Sequence, residues 1–228
     1  MTNSKNLPLL IFDLDGTLID SADDIHFSIN TMLRRHGRAE VDKPTLVSHI
    51  GDGLQKLVND FFPEYSYSSK ENIEKLDEFL KIYEDILIEH TVLYPGVFEF
   101  LDTYPGPKAL ATNKSIEPTL MIFRRFGLDT MNWVSIIGGD SLAERKPSAL
   151  PLQHAMDKAG YTAANTWMIG DGRPDMKSAI AAGCKKIAVH YGYSTAAELE
   201  IFQPDYVLKS FSDLASLLAD YQNTALSK

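Results

Sequence analysis

Short apolar runs that end in polar residues recur along the chain and predict the strands of a parallel sheet. The first run, Leu9–Phe12, stops at Asp13 and Asp15. Apolar runs of about four to eight residues bounded by Asp, Gly or Pro are typical of strands buried on both faces. The same pattern predicts further strands at about 108–111, 134–137, 166–169, 186–189 and 206–208, with helices beginning near Pro95, Ile116, Pro147, Pro174, Thr195 and Ser212. This alternation predicts an α/β fold with a doubly wound, mainly parallel sheet.

The segment from residue 19 to residue 92 has a helical pattern instead. A crossover between parallel strands needs only about a dozen residues, so this segment is an insertion. Ser21 and Asp24 predict a capping-box start to its first helix, and no strand is predicted within it. Apolar residues then recur at helical spacing in three stretches: Ile25, Ile29, Met32 and Leu33; Pro44 to Val58, interrupted by Gly51-Asp52-Gly53; and Ile73, Leu76, Leu80, Tyr83 and Leu87. We therefore expect a helical domain at 19–92, inserted in a core made of 1–18 and 93–228.

Composition excludes several classes of protein. The chain has 228 residues, 44% of them hydrophobic, and a formal net charge of -9. Nucleic-acid binding requires clustered Lys and Arg, so the negative net charge argues against a nucleic-acid partner. The apolar stretch near the N-terminus is too short for a signal peptide or a membrane span, and the single Cys184 rules out a disulfide framework. We expect a cytoplasmic monomer or homodimer with no membrane partner.

The first strand ends in two carboxylates that predict a metal site. Asp13 and Asp15 are two residues apart, so on a strand they share a face. They stand at the carboxyl end of the strand, where open α/β sheets bind their ligands. Adjacent carboxylates repel one another unless one is protonated or a cation lies between them. The pair therefore favours a bound cation.

Polar residues also follow the other predicted strands. Thr112 and Asn113 follow 108–111, Lys146 follows 134–137, and two acids, Asp171 and Asp175, follow 166–169. The two acids and the lysine each have an alternative interpretation. Either acid can instead cap a helix N-terminus, and Lys146 can be a solvated lysine at a helix start, with Arg145 as the competing cation.

These elements, in the order DxDGT, isolated Thr, Lys-Pro and GDxxxD, resemble the haloacid dehalogenase superfamily, and within it phosphatases organised like phosphoglycolate phosphatase. The resemblance implies a Rossmann-like core with a helical cap between the first two motifs. It also implies a Mg²⁺-dependent phosphatase that acts on a small phosphorylated metabolite through an aspartyl-phosphate, with 2-phosphoglycolate as the best single candidate. A sugar phosphomutase of the same fold is the alternative. A phospho-acceptor receiver domain is a more distant one, which the motif order and the insertion argue against.

The resemblance assigns roles to four catalytic candidates. Asp13 is the expected nucleophile, and Asp15 is the expected acid and base for the leaving group and the attacking water. An acid at this second position favours phosphoryl transfer over dehalogenation, because a halide leaving group needs no proton. Lys146 and Thr112 are expected to contact the phosphoryl group.

The remaining predicted site residues bind metal or substrate. Mg²⁺ prefers hard oxygen ligands. The expected ligands are Asp13 and Asp171 through their side chains, Asp15 through its backbone carbonyl, and Asp175 either directly or through a water. Gly16 and Asn113 are expected near the phosphate.

The sequence Gly51-Asp52-Gly53 resembles the glycine loop by which such caps approach the core. A basic residue often follows that loop in relatives of phosphoglycolate phosphatase, and here Gln55 stands where it is expected. Lys56 is the nearest cation, so we expect it to bind the substrate carboxylate.

Overall fold

The computed structural model describes residues 7–86 and 88–226, so predictions for residues 1–6, Leu87 and residues 227–228 lie outside it. The strands of the described chain are β1 Leu9–Phe12, β2 Ile19–Asp20, β3 Val92–Leu93, β4 Lys108–Ala111, β5 Trp133–Ile137, β6 Thr166–Gly170, β7 Lys185–Val189 and β8 Tyr206–Leu208. Six of them form one sheet in the order β5-β4-β1-β6-β7-β8, and every pairing in it is parallel. The predicted parallel sheet is confirmed.

The sheet is covered on both faces, as its continuous apolar strands predicted. Leu10 and Phe12 of β1 pack in one hydrophobic cluster, whereas Leu9 and Ile11 pack in the other. Successive side chains of a strand point to opposite faces, so full burial of β1 requires two cores. The helices of the core are α5 Val97–Thr103, α6 Ile116–Arg125, α7 Leu150–Ala159, α8 Arg173–Ala182, α9 Ala196–Glu200 and α10 Asp213–Leu226.

The insertion is helical, as predicted. Its helices are α1 Ala22–Arg35, α2 Lys43–Val47, α3 Leu54–Phe61 and α4 Lys70–Ile86, which we call the cap. The third predicted stripe is only partly correct, because Phe79, Ile82 and Tyr83 are the buried apolar residues of α4 and Ile73 is 48% exposed. Asn72 occupies the inner face of the first turn instead, where its amide donates to Asn59.

A two-stranded ribbon joins the cap to the core, and the sequence did not predict it. In this ribbon β2 and β3 pair antiparallel, with Ile19 opposite Leu93 and Asp20 opposite Val92. Two residues are too few to show strand alternation, which explains the omission. The exact division into domains at 18/19 and 92/93 stays a prediction.

The predicted capping box at the start of α1 is wrong. Ser21 is the N-cap residue but makes no capping bond, and its hydroxyl donates to Asp15 Oδ1 at 2.5 Å. Asp24 is fully buried and accepts backbone N–H bonds from Ile88, His90 and Thr91. Asp24 thus ties the end of the cap to its first helix. Within the described chain, no helix has the length and apolarity that a bilayer crossing requires.

Candidate active site

Three buried carboxylates meet at the carboxyl end of the sheet. Asp13 follows β1, Asp171 follows the neighbouring strand β6, and Asp175 lies in the first turn of α8. One oxygen of each lies within 4.8 Å of the other two. Parallel neighbouring strands end at the same edge, so the topology itself assembles this acidic cluster.

Lys146 neutralises part of this charge. Its Nζ lies 2.8 Å from Asp13 Oδ1 and 2.5 Å from Asp175 Oδ1, and the residue is 2% exposed. Burial lowers the pKa of a lysine, but here the two carboxylates outweigh it and raise the pKa of Lys146, which holds it as an ammonium. The surface-lysine alternative is therefore excluded. The competing cation, Arg145, donates to the Tyr67 hydroxyl of the cap instead, at 2.8 Å.

Asp171 is fixed by the loops around it. Its Oδ1 accepts from the Thr17 hydroxyl at 3.0 Å, and its Oδ2 accepts from the backbone N–H of Tyr193 at 2.8 Å. Burial, and then the charges of Asp13 and Asp175, raise the pKa of Asp171 well above its ordinary value. Gly16 packs directly on this carboxylate with φ +78°, and a Cβ at that position would overlap it. From the sequence we expected Gly16 near the phosphate; in the structure it lies next to the Asp171 carboxylate.

Asp175 both caps a helix and belongs to the cluster. Its Oδ2 accepts the Gly172 N–H at 2.9 Å at the start of α8, whereas its Oδ1 accepts from Lys146. The helix-cap alternative is thus correct for one oxygen without removing the other from the site. Burial, with the charge of Asp13, also raises the pKa of Asp175.

The cluster fits a divalent cation. Three carboxylates face one ammonium, so the cluster holds more negative than positive charge. All three acids offer hard oxygens, the ligands that Mg²⁺ prefers. Asp15 does not join them through its side chain, and a role for its backbone carbonyl stays a prediction.

Asp15 is held separately, against a lysine that sequence reasoning missed. Lys114 Nζ donates to Asp15 Oδ1 at 3.0 Å and to Oδ2 at 3.2 Å. Lys114 is only 3% exposed, and its Nζ lies 4.8 Å from the ring centroid of Tyr83 in α4. The one available signal was its position directly after Thr112 and Asn113, at the end of β4.

Thr112 and Asn113 lie at the end of β4, as predicted, but their contacts are structural. The Thr112 hydroxyl accepts the backbone N–H of Lys114 at 3.1 Å. The Asn113 amide donates to the backbone oxygens of Gly51 and Lys146, each at 3.0 Å. Asn113 therefore holds the glycine loop of the cap on the core.

A small cavity of about 30 Å³ lies between cap and core at this point. On the core side it is lined by Asp13, Asp15, Thr112, Asn113 and Lys114, and on the cap side by Ile25, His49, Ile50, Gly51, Gly53, Leu54 and Leu57. A wider cleft of about 280 Å³ opens beside it, between residues 44–52 of the cap and the core segments 172–174 and 193–198. The small volume of the cavity favours a small ligand.

The structure does not bring Lys56 to this cavity. Lys56 forms an ion pair with Asp60, four residues along α3, and its side chain is 43% exposed. Positions i and i+4 are neighbours on a helix surface, so this pairing is local. Asp60 also pairs with Nδ1 of His49 at 3.0 Å, and His49 is the cap residue with a basic side chain that lines the cavity.

Comparison with known proteins agrees with this geometry. Residues 10–189 match the family model described as haloacid dehalogenase-like hydrolase. The chain is 35% identical to a phosphoglycolate phosphatase of Chromobacterium violaceum, over 95% of this chain and 98% of that protein. It is 34% identical to one of Neisseria meningitidis, over 96% and 97% of the two chains. A crystal structure described as a predicted phosphoglycolate phosphatase from Haemophilus somnus superposes with a TM-score of 0.83 at 27% identity, covering 93% of this chain and 98% of the other.

Proposed function

The chain belongs to the haloacid dehalogenase-like hydrolases and is a phosphoric monoester hydrolase, and from this premise we propose that it is a magnesium-dependent phosphatase of small phosphomonoesters, with 2-phosphoglycolate as its substrate. One observation carries the proposal: Asp13, which belongs to the acidic cluster and pairs with Lys146, lines the cavity together with Asp15. Relatives named phosphoglycolate phosphatase support this choice of substrate.

Asp13, Asp171 and Asp175 are the residues that would hold Mg²⁺. When bound, Mg²⁺ supplies positive charge that offsets the negative charge of the phosphoryl oxygens. Without a cation, a phosphate dianion would meet three buried carboxylates, which is electrostatically unfavourable. Lys146 adds a fixed cation on the side of Asp13 and Asp175.

Asp13 is the proposed nucleophile. Its Oδ1 accepts a hydrogen bond from the backbone N–H of Leu14 at 2.7 Å and forms an ion pair with Lys146 Nζ at 2.8 Å. The carboxylate attacks phosphorus, the bond to the ester oxygen breaks, and an aspartyl-phosphate forms. These two contacts hold the Oδ1 side of the carboxylate, which helps to orient the attack.

Asp15 is the proposed acid and base. It lines the cavity two residues after the nucleophile, and Ser21 and Lys114 orient its carboxylate. In the first step it gives a proton to the leaving alkoxide. In the second it takes a proton from the water that attacks the aspartyl-phosphate, which regenerates Asp13 and releases phosphate.

A panel of phosphorylated metabolites tests the proposal. Purified protein with Mg²⁺ should release phosphate from 2-phosphoglycolate faster than from sugar phosphates, and chelator should abolish the release. Asp13→Asn is the control for contaminating phosphatases. Equal rates with chelator and with Mg²⁺ would contradict the metal site. Isomerisation of a hexose phosphate without phosphate release would identify a phosphomutase instead.

A further inference from the structure

Lys114 is a buried cation that lines the cavity beside two acids. The residue is 3% exposed and lines the cavity together with Asp13 and Asp15. Among the described residues that line it, Lys114 is the only lysine, and none is an arginine. Burying an ammonium costs free energy unless the charge is paired, so a lysine placed here needs an anion.

In the structure that anion is Asp15, the proposed acid and base. Nζ contacts both carboxylate oxygens, at 3.0 and 3.2 Å, while the ring of Tyr83 lies 4.8 Å from it. An ammonium carries three N–H donors, and these two contacts use at most two of them. The third N–H interacts with the Tyr83 side chain, a weaker partner than a carboxylate, so an anion in the cavity can compete for it.

The position of Lys114 fits one part of the substrate. Asp15 must lie at the ester oxygen of the leaving group in order to protonate it. A group attached to the carbon next to the ester oxygen then lies close to Asp15, and Nζ of Lys114 lies there as well. Without Lys114, a negative charge at that place would lie close to the Asp15 carboxylate, which is electrostatically unfavourable.

From this placement we propose that Lys114 binds a second anionic group of the substrate, carried on the carbon next to the ester oxygen, and that it selects small phosphomonoesters bearing such a group. The inference rests on the proposed phosphatase function and deepens it by naming the substrate class: phosphorylated short hydroxy acids. It also moves the expected carboxylate contact from the cap helix that carries Lys56 to the core loop after β4. Lys114 would contact Asp15 and the substrate together only when the substrate carries this second anionic group.

Paired esters test the inference. 2-Phosphoglycolate and ethyl phosphate both have an O–CH₂ leaving group, but only the first has a carboxylate. In Lys114→Met, kcat/KM for phosphoglycolate should fall by about tenfold to a hundredfold, the usual effect of losing a charge-assisted contact. For ethyl phosphate kcat/KM should also fall, because Lys114 orients Asp15, but by about tenfold less than for phosphoglycolate. Lys108→Met is the matched control, because Lys108 is a buried lysine at the opposite end of the same strand.

Other outcomes overturn the inference. Equal losses on both esters would mean that Lys114 serves Asp15 alone, and no loss on either would remove it from the site. Wild-type protein provides a measurement that does not depend on the folding of a variant: it should prefer phosphoglycolate to ethyl phosphate, and should hydrolyse phosphoethanolamine, with its ammonium at the same place, most slowly. A preference for ethyl phosphate would overturn this inference and leave the phosphatase proposal intact. Hydrolysis of none of the esters with Mg²⁺ would contradict the phosphatase proposal itself.

Discussion

Two neighbouring groups of charge at this site are held in different ways. The cluster of Asp13, Asp171 and Asp175 is bonded by core elements alone, through Lys146, Thr17 and the backbone of the loops. The pair of Asp15 and Lys114 also contacts the cap side, through Ser21 at its first helix and the ring of Tyr83 in α4.

This difference separates two tasks. The cluster would bind the phosphoryl group and the metal, which are common to every phosphomonoester, and the sheet fixes its geometry. The pair meets the part of the substrate that varies, and its surroundings depend on how the cap lies on the core. The comparison predicts that damage to the cluster abolishes all turnover, whereas damage to the pair depends on the substrate.

Asp13→Asn should have the largest effect. It removes the nucleophile and a metal ligand together, so phosphate release should fall by about four orders of magnitude or more on every ester. The thermal unfolding midpoint should stay near that of wild type, because the amide is isosteric. Substantial turnover by a folded variant that mass spectrometry shows to be free of deamidation would exclude the covalent route.

Asp15→Asn should be selective. Loss of a general acid typically costs about 10²–10⁴-fold, so release from phosphoglycolate should fall within that range. Formation of the aspartyl-phosphate from p-nitrophenyl phosphate needs little acid assistance, so a burst of p-nitrophenol should precede slow turnover in stopped-flow traces. If p-nitrophenyl phosphate is hydrolysed as fast as by wild type, Asp15 is not the acid and base.

Gly16→Ala should damage the cluster through geometry alone. The new Cβ would overlap the Asp171 carboxylate, and displacement of a ligand by about an ångström can cost roughly a hundredfold in rate. Gly37→Ala is the matched control: Gly37 also has positive φ, +65°, but has nothing within 4 Å of an added Cβ. Both variants should lose about 1–2 kcal/mol of unfolding free energy from the backbone strain. Equal activity in the two would show that Asp171 tolerates displacement.

Lys56→Met should have the smallest effect, with kcat/KM for phosphoglycolate within about twofold of wild type, because an exposed ion pair contributes little. Steady-state kinetics on phosphoglycolate and ethyl phosphate provide the measurement. A tenfold rise in KM for phosphoglycolate alone would return the carboxylate contact to the cap and weaken the case for Lys114.

The sequence predicted the core far better than the cap. Apolar runs such as Leu9–Phe12 have a polar stop, and parallel strands end at one edge, so the positions of Asp13 and Asp171 follow from the pattern. Lys114 could not be found this way. Its burial depends on Tyr83, which packs from a distant helix, and a lysine after a strand is otherwise most often solvated. Asp24 was misassigned for a similar reason: its partners, near residue 90, lie far along the chain.

The ribbon of β2 and β3 has a consequence for how such a chain can change over time. The chain leaves the core at Ile19 and returns at Leu93 directly opposite, and Asp24 fastens the returning segment at Thr91. A module whose two ends meet can be lengthened, shortened or exchanged without moving the strands on either side, as insertions elsewhere on protein surfaces show. Substrate specificity can therefore evolve through changes in the cap helices, while the catalytic residues at the edge of the sheet stay the same.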